Sequence, residues 1–281
     1  MMDGKEPRAR AYRGGRWQPA ERPLAEEVPV AITVNGTTQA VMMATPADLA
    51  DFARGFALTE GLAQSLAEIE EVEVLAEPQG IEARLWLTEA AAGRIEARRR
   101  RSVGPVGCGL CGIESLAEAL RPLPRLTGGL MLTPDDVAAA MAALAAAQSL
   151  HELTRAVHGA GFWRPGLPLI AREDVGRHNA LDKLAGALAL AGIDPASGAL
   201  VLTSRLSVDM VQKAAMIGAP LVIAASAPTT LAADQATAAG ITLIARARGG
   251  EFEVHSHPGR VAAELVDTGR LAQPVEDSDA A

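Results

Sequence analysis

The spacing of apolar residues changes character near the middle of the chain. In the first part the pattern is mixed. Val28–Val34 and residues 38–43 flank Asn35-Gly36, a strong hairpin signal because a type I′ turn needs positive φ at both central positions. Thr45-Pro46 reads as an N-cap followed by proline at the first helical position. Leu49, Phe52 and Phe56 then repeat at helical spacing, and Gly61 closes that helix near Glu60. Residues 69–76 and 81–87 read as strands, the second alternating Ile81, Ala83, Leu85 and Leu87. From residue 167 onward the pattern repeats as short, continuous apolar runs at 167–171, 199–202, 221–225 and 241–245. Helices are expected between them, over 177–191, from about Ser207, and over 228–239, with a possible edge strand at 252–254. Such alternation describes a buried, largely parallel sheet covered by helices. Thr133-Pro134-Asp135-Asp136 opens a further helix to about Ser149, with a cap, proline and acids in its first turn. The expected organisation is a mobile arm over 1–27, an N-terminal α+β unit over 28–101, a loop and connector over 102–124, an α/β domain over 125–260 and a tail over 261–281.

Composition narrows the class. The 281 residues are 49% hydrophobic and only 3% aromatic, so the core must be built from Ala, Leu, Val and Ile. No apolar run approaches the roughly 20 residues of a membrane span, and the polar, basic N-terminus leads into no signal-peptide core. A cytoplasmic protein is expected. The net charge of −8 argues against general nucleic-acid binding. The lysines are Lys5, Lys183 and Lys213, so nearly all positive charge is arginine, which suits bidentate phosphate contacts.

In a parallel sheet the carboxyl ends of the strands share one edge, where ligands bind. Polar clusters fall at these ends: Arg172-Glu173-Asp174-Val175-Gly176-Arg177-His178-Asn179, Thr203-Ser204-Arg205-Leu206-Ser207, Ser226-Ala227-Pro228-Thr229-Thr230 and Arg246-Ala247-Arg248-Gly249-Gly250. Hydroxyls, arginines and helix N-termini on one rim suit an anion or a nucleotide; ordinary caps and turns account for the same residues. Asp174, Arg177, His178, Ser204 and Ser226 are the rim candidates. Asp182 stands one helical turn from His178 and can face it, as a functional pair or as a structural one. His151 and His158 are placed to approach the rim, whereas His255 and His257 read as surface residues.

An arginine run at 98–101, itself compatible with a solvated strand face, precedes a Gly-rich loop carrying Cys108 and Cys111. The spacing permits half of a zinc site, a dithiol redox couple or a sulfur carrier. No second Cys-x-x-Cys and no finger-spaced histidine pair completes the zinc site.

Gly107-Cys108-Gly109-Leu110-Cys111-Gly112, the run from Glu173-Asp174-Val175-Gly176-Arg177-His178 through Asn179-Ala180-Leu181-Asp182-Lys183, and Ser226-Ala227-Pro228-Thr229 resemble the FdhD/NarQ family of formate dehydrogenase accessory proteins. So do the segment from Thr45 to Gly61 and Met210-Val211-Gln212-Lys213. The resemblance covers roughly residues 28–257. It implies a three-layer α/β/α, cytidine-deaminase-like domain beside the smaller N-terminal unit, and a sulfurtransferase function. A cysteine desulfurase would load Cys108 with a persulfide, Cys111 assisting or resolving. The sulfur would pass to the molybdenum or tungsten of a bis-molybdopterin guanine dinucleotide cofactor destined for formate dehydrogenase. The resemblance maps the guanine-dinucleotide contact onto Ile244, Ala245, Arg246, Ala247, Arg248 and Gly249, and implies a homodimer with no resident metal. Ile244 stands where the family often places an aromatic, and Ser204 and Asp209 replace glycine and glutamate. A cofactor chaperone with structural cysteines is the competing reading.

Overall fold

The computed structural model describes residues 9–20, 22–101 and 122–262. Its N-terminal unit is a four-stranded sheet in the order β4-β3-β6-β5, formed by β3 (Val28–Val34), β4 (Thr37–Ala44), β5 (Ile69–Glu77) and β6 (Gly80–Leu87). The β3–β4 hairpin turns at Asn35 and Gly36, both at positive φ, as their sequence demands. Asn35 also pins the turn to the neighbouring strand. Its side-chain oxygen accepts from the Leu87 N–H at 2.8 Å, and its backbone N–H donates to the Leu85 carbonyl at 2.9 Å. One face of the sheet packs Val30, Ile32, Ala83 and Leu85 against Phe52, Ala53 and Ala57 of α1 (Leu49–Thr59).

Three local expectations change in this unit. Part of the stretch read as an arm forms a hairpin, β1 (Arg10–Arg13) and β2 (Arg16–Pro19), where Gly14 and Gly15 supply the positive φ of the turn and Tyr12 meets Trp17 edge-on. Thr45 does not cap α1, which starts at Leu49 after Asp48 in the left-handed region. Thr45 instead spends its polar groups on the second domain. The arginine run at 98–101 closes a helix, α2 (Glu89–Arg101), not a strand. Thr88 caps that helix by accepting the Ala91 N–H, and its alanine-rich start favours a helical backbone.

The second domain is built on a six-stranded sheet ordered β12-β11-β10-β9-β7-β8: β7 (His158–Trp163), β8 (Ile170–Asp174), β9 (Ala199–Leu202), β10 (Leu221–Ala224), β11 (Thr242–Arg248) and β12 (Glu251–Ser256). Only β9, β10 and β11 run parallel to one another side by side; β7 is antiparallel to both its neighbours and β12 to β11. The sheet is therefore mixed. Because β7 reverses direction between β9 and β8, β8 still ends on the same edge as β9, β10 and β11. Strand β7 escapes a reading by hydrophobicity because its sequence is His-Gly-Ala-Gly-Phe-Trp. The glycines are there for closeness: a Cβ at Gly161 would meet Leu144 and Leu169 at 3.1 Å, and one at Gly159 would meet the Gln148 amide at 2.6 Å.

Helices α5 (Arg177–Leu190), α6 (Val208–Ile217) and α7 (Thr230–Ala239) cover one face, burying Leu181, Leu184, Met210 and Val211 against Leu200, Val222 and Leu243. Helix α3 (Pro134–Ala147) covers the other, setting Val137, Ala140 and Leu144 on Val201, Ile223 and Ile244. The three-layer α/β/α expectation holds. Thr133 caps α3 as predicted, and the structure adds that the cap is reciprocal, Thr133 and Asp136 each accepting the other's N–H at 3.1 and 3.0 Å. A short helix, α4 (Ser149–Thr154), follows it.

The two units join through α1 and α5, whose backbones touch at glycines. A Cβ at Gly55 would lie 1.7 Å from the Asp182 carbonyl, and one at Gly186 would lie 2.0 Å from that of Asp51. Around this contact runs a set of buried polar groups. Asp174 is fully buried and accepts from the N–H groups of Thr45 at 3.0 Å and Gly176 at 2.7 Å, and from the Asn179 amide at 2.9 Å. Lys183 pairs with it at 2.7 Å and donates to the Thr45 carbonyl at 2.9 Å. The Thr45 hydroxyl accepts the Val175 N–H at 3.2 Å. Asp182 accepts from Thr59 at 2.7 Å and from Lys213 at 2.9 Å, and Lys213 also reaches Glu60 at 2.6 Å. Arg172 closes the seam on Asp51 at 2.7 Å.

Candidate functional site: a two-lobed groove at the strand ends

The edge where β8, β9, β10 and β11 end carries a groove against α3 and α4. Its inner lobe, about 550 Å³, is lined by residues including Gln148, His151, Arg155, His158, Thr203 and Arg248. The outer lobe, about 430 Å³ and mostly apolar, lies between Val137 and Met141 of α3 and the Ala247–Phe252 turn. Met141 and Arg248 belong to both lobes, so the two form one groove.

Local chemistry explains how these side chains are held. The Glu173 carboxylate accepts the N–H groups of Leu150 and His151, both at 2.8 Å, anchoring the first turn of α4. The His151 Nδ1 lies 3.0 Å from the Val157 carbonyl. A carbonyl only accepts, so Nδ1 carries the hydrogen and Nε2 of the neutral ring keeps its lone pair. Arg155 follows the helix in the left-handed region, at the exposed lip of the lobe. Thr203 accepts the Gly159 N–H at 3.0 Å, holding the start of β7 against the end of β9. Burial, with help from the charge of Arg177, lowers the pKa of His158 below the ordinary histidine value.

The residues singled out in the sequence divide by this geometry. Arg248, Ala247 and Gly249 line the groove. His151 and His158 approach the rim as expected. Ile244 and Ala245 are fully buried in the two opposite cores, so neither presents a surface to a ligand. Arg246 sits at positive φ in a bulge of β11, which turns its side chain outward beside Glu253 at 3.3 Å. Ser204 is buried and donates to the Arg205 carbonyl at 3.1 Å, while Ser226 is half-buried and its carbonyl accepts the Arg246 N–H. Asp174 is corrected from a ligand contact to an interior hub, since its oxygens are occupied within the seam. Asp182 faces Lys213 and Thr59, not His178. Cys108 and Cys111 lie outside the described residues. Gln148, Arg155 and the anchoring role of Glu173 were not anticipated; the first two sit in a stretch with no motif.

Arg177 and His178 face outward from the seam, half-buried, and the His178 Nε2 stands 3.9 Å from Asp209 without a hydrogen-bond partner. Burial, reinforced by Arg177 and Lys213, pushes the His178 pKa down to about 4 from 6.5. The unfolded chain therefore binds a proton on His178 below pH 6.5, and the folded chain only near pH 4. Stability is accordingly expected to fall on acidification through that window and to level off below it. Urea unfolding of the parent and of His178→Gln at pH 7 and pH 5 checks this. The substitution should flatten the difference between the two pH values, and an unchanged difference would remove His178 from the account.

Comparison with known proteins now bears on the chain as a whole. Residues 25–262 match the FdhD/NarQ family. The chain belongs to the FdhD/NarQ family. A relative from Agrobacterium fabrum (strain C58), described as sulfur carrier protein FdhD, is 53% identical over 89% of this chain and 93% of the relative. The protein of that description from Brucella abortus is 52% identical over 89% and 94%. A crystal structure from Desulfotalea psychrophila, described as that of a formate dehydrogenase accessory protein, superposes with a TM-score of 0.72 at 28% identity, covering 90% of this chain and 97% of the other. Among the described residues no helix is long and apolar enough to cross a membrane.

Proposed function

We propose that this FdhD/NarQ chain is a sulfur carrier serving formate dehydrogenase. In this reading Cys108 accepts sulfane sulfur from a cysteine desulfurase and passes it to the molybdenum of a bis-molybdopterin guanine dinucleotide, the substrate of the transfer. The protein acts as a homodimer in the cytoplasm. The observation that carries the reading, beside family membership, is the groove. It combines an apolar lobe with Arg155 and Arg248, cations suited to a pyrophosphate-bearing, heterocyclic client.

The dithiol balances the transfer. The Cys108 thiolate attacks the outer sulfur of the donor persulfide, taking that sulfur and releasing the donor thiolate. The Cys111 thiol then attacks Sγ of Cys108, forming a Cys108–Cys111 disulfide and expelling sulfur at the sulfide level. Sulfide replaces an oxo ligand of the metal, and water leaves. The two electrons come from the cysteine pair, which is reduced again by an external dithiol. The rim arginines hold the client while this happens.

The test is direct. Protein incubated with a cysteine desulfurase and cysteine should gain one reductant-labile sulfur on Cys108, read by intact and peptide mass. Cys108→Ala should lose both the adduct and activation of formate dehydrogenase. If the desulfurase turns over while both cysteines stay unmodified, or if Cys108→Ala still activates, sulfur carriage is wrong and the protein is a cofactor chaperone.

A further inference from the structure

The last described residues, Val261 and Ala262, leave the fold beside the outer lobe. Val261 packs against the same core as Met141 and Phe252 of that lobe. Leu132 donates its N–H to the Arg260 carbonyl at 2.9 Å, and Ala262 donates to the Leu132 carbonyl at 2.8 Å. The bridge between Leu132 and Val261 is parallel, so the chain after Val261 runs on in the direction in which residues 132–134 enter α3. The outer lobe lies along that course. From Thr133 to Met141 the helix rises about 12 Å, and about four extended residues cover the same distance. The sequence continues Ala263-Glu264-Leu265-Val266-Asp267, which puts an aliphatic pair at that distance. Residues 263–281 carry Glu264, Asp267, Glu276, Asp277 and Asp279 against Arg270, so the segment is acidic. The groove it leads into offers the exposed cations Arg248 and Arg155.

We infer that residues 263–281 dock along α3 of their own chain, with Leu265 and Val266 in the outer lobe and the acids from Asp267 onward at Arg248 and Arg155. The apolar wall and the arginines select this occupant together. Val137, Ala138 and Met141 form an aliphatic surface that Leu265 and Val266 match. Glu251 also lines that lobe, and there the segment presents aliphatic groups rather than charge. Farther along, carboxylates meet guanidinium groups, a strong form of hydrogen-bonded ion pair. Tethering helps as well, because a segment joined to the fold by a few residues is present at an effective concentration of about millimolar. A contact too weak to hold a separate peptide therefore suffices. Any client of the groove must displace this segment, so the chain carries its own competitor for the site.

Photo-crosslinking of the full chain tests this without sulfur chemistry. A benzophenone side chain in place of Leu265 stays apolar and, on irradiation, should join to Met141 or to the 247–252 turn of its own chain, read by peptide mass. Crosslinks to other regions, crosslinks between two copies, or none at all each overturn the inference. Trypsin supplies a second reading through the bond after Arg270, whose cleavage appears in the intact mass as loss of residues 271–281. Leu265→Asp should speed that cut about tenfold, because the aliphatic burial that keeps the segment seated is lost. Equal rates in the parent and the variant would sink the idea. The crosslink stands even if the aspartate variant does not fold. Sulfur loading of Cys108 is measured separately. A seated segment without an adduct therefore sinks only the carrier reading, and an adduct without the crosslink sinks only this one.

Discussion

Gly55→Ala should separate α1 from α5 and destabilise the protein by about 3 kcal/mol or more. The added Cβ would lie 1.7 Å from the Asp182 carbonyl oxygen and 2.8 Å from the Gly186 nitrogen, and both obstacles are backbone. No rotamer change relieves such a clash, so the helices must move apart. That movement lengthens the 2.7 Å hydrogen bond from Thr59 to Asp182 and the 2.6 Å contact from Lys213 to Glu60, at the end of the same helix. Lys213 is mostly desolvated. Burial opposes its charge, and the Asp182 and Glu60 carboxylates outweigh burial and hold its pKa above the ordinary lysine range. Losing those partners leaves the ammonium poorly solvated and unpaired. Urea unfolding gives the magnitude, and limited proteolysis should show earlier cutting of the N-terminal unit. A midpoint within about 0.5 kcal/mol of the parent, the usual range for a surface change, would mean that the glycine contact is looser than the geometry states.

Lys183→Met should cost about 3–5 kcal/mol, because it strands a fully buried carboxylate. Asp174 would retain three hydrogen-bond donors but lose its countercharge at 2.7 Å. The side chain also lies 6.0 Å from the Phe52 ring centroid, so methionine keeps much of the packing and isolates the charge. Asp174→Leu alone should cost a comparable amount, since it orphans the Lys183 ammonium and those donors. The double variant should lose clearly less than the two single losses added together, with a coupling of at least about 1 kcal/mol. Strict additivity in that cycle would show that the two charges do not compensate each other.

These two predictions bear on what the sequence could reveal. The Asn35-Gly36 hairpin and the Thr133 cap are local devices whose partners lie within a few residues, and both are present as expected. The Arg172–Lys183 segment is different. Its polar density at a strand end suggests a ligand rim, and its helical spacing suggests that Asp182 faces His178. In the structure Asp174, Asn179, Asp182 and Lys183 turn toward the N-terminal unit. Their partners, Thr45, Met43 and Thr59, lie more than 120 positions earlier, where no periodicity connects them. Thr45-Pro46 misleads for the same reason, since a threonine before a proline looks like a cap until the distant groups that claim it are known. Strand β7 is hidden because glycines at 159 and 161 serve close packing against Gln148 and Leu144 and so lower its apparent hydrophobicity. The groove was partly legible: Arg248 and the two histidines were marked, whereas Gln148 and Arg155 act through a helix turn that only tertiary anchoring by Glu173 defines.

The seam also has a history within each round of synthesis. The ribosome finishes Thr59 well before Asp182, 123 positions later. At about 5–20 residues per second that gap lasts on the order of 6–25 s. Throughout it, the face of α1 that carries Gly55 waits without the helix it is shaped to meet. The newborn N-terminal unit must therefore keep that face from other chains until α5 emerges, which makes the interval between these two helices the period in which this protein is most open to misassembly.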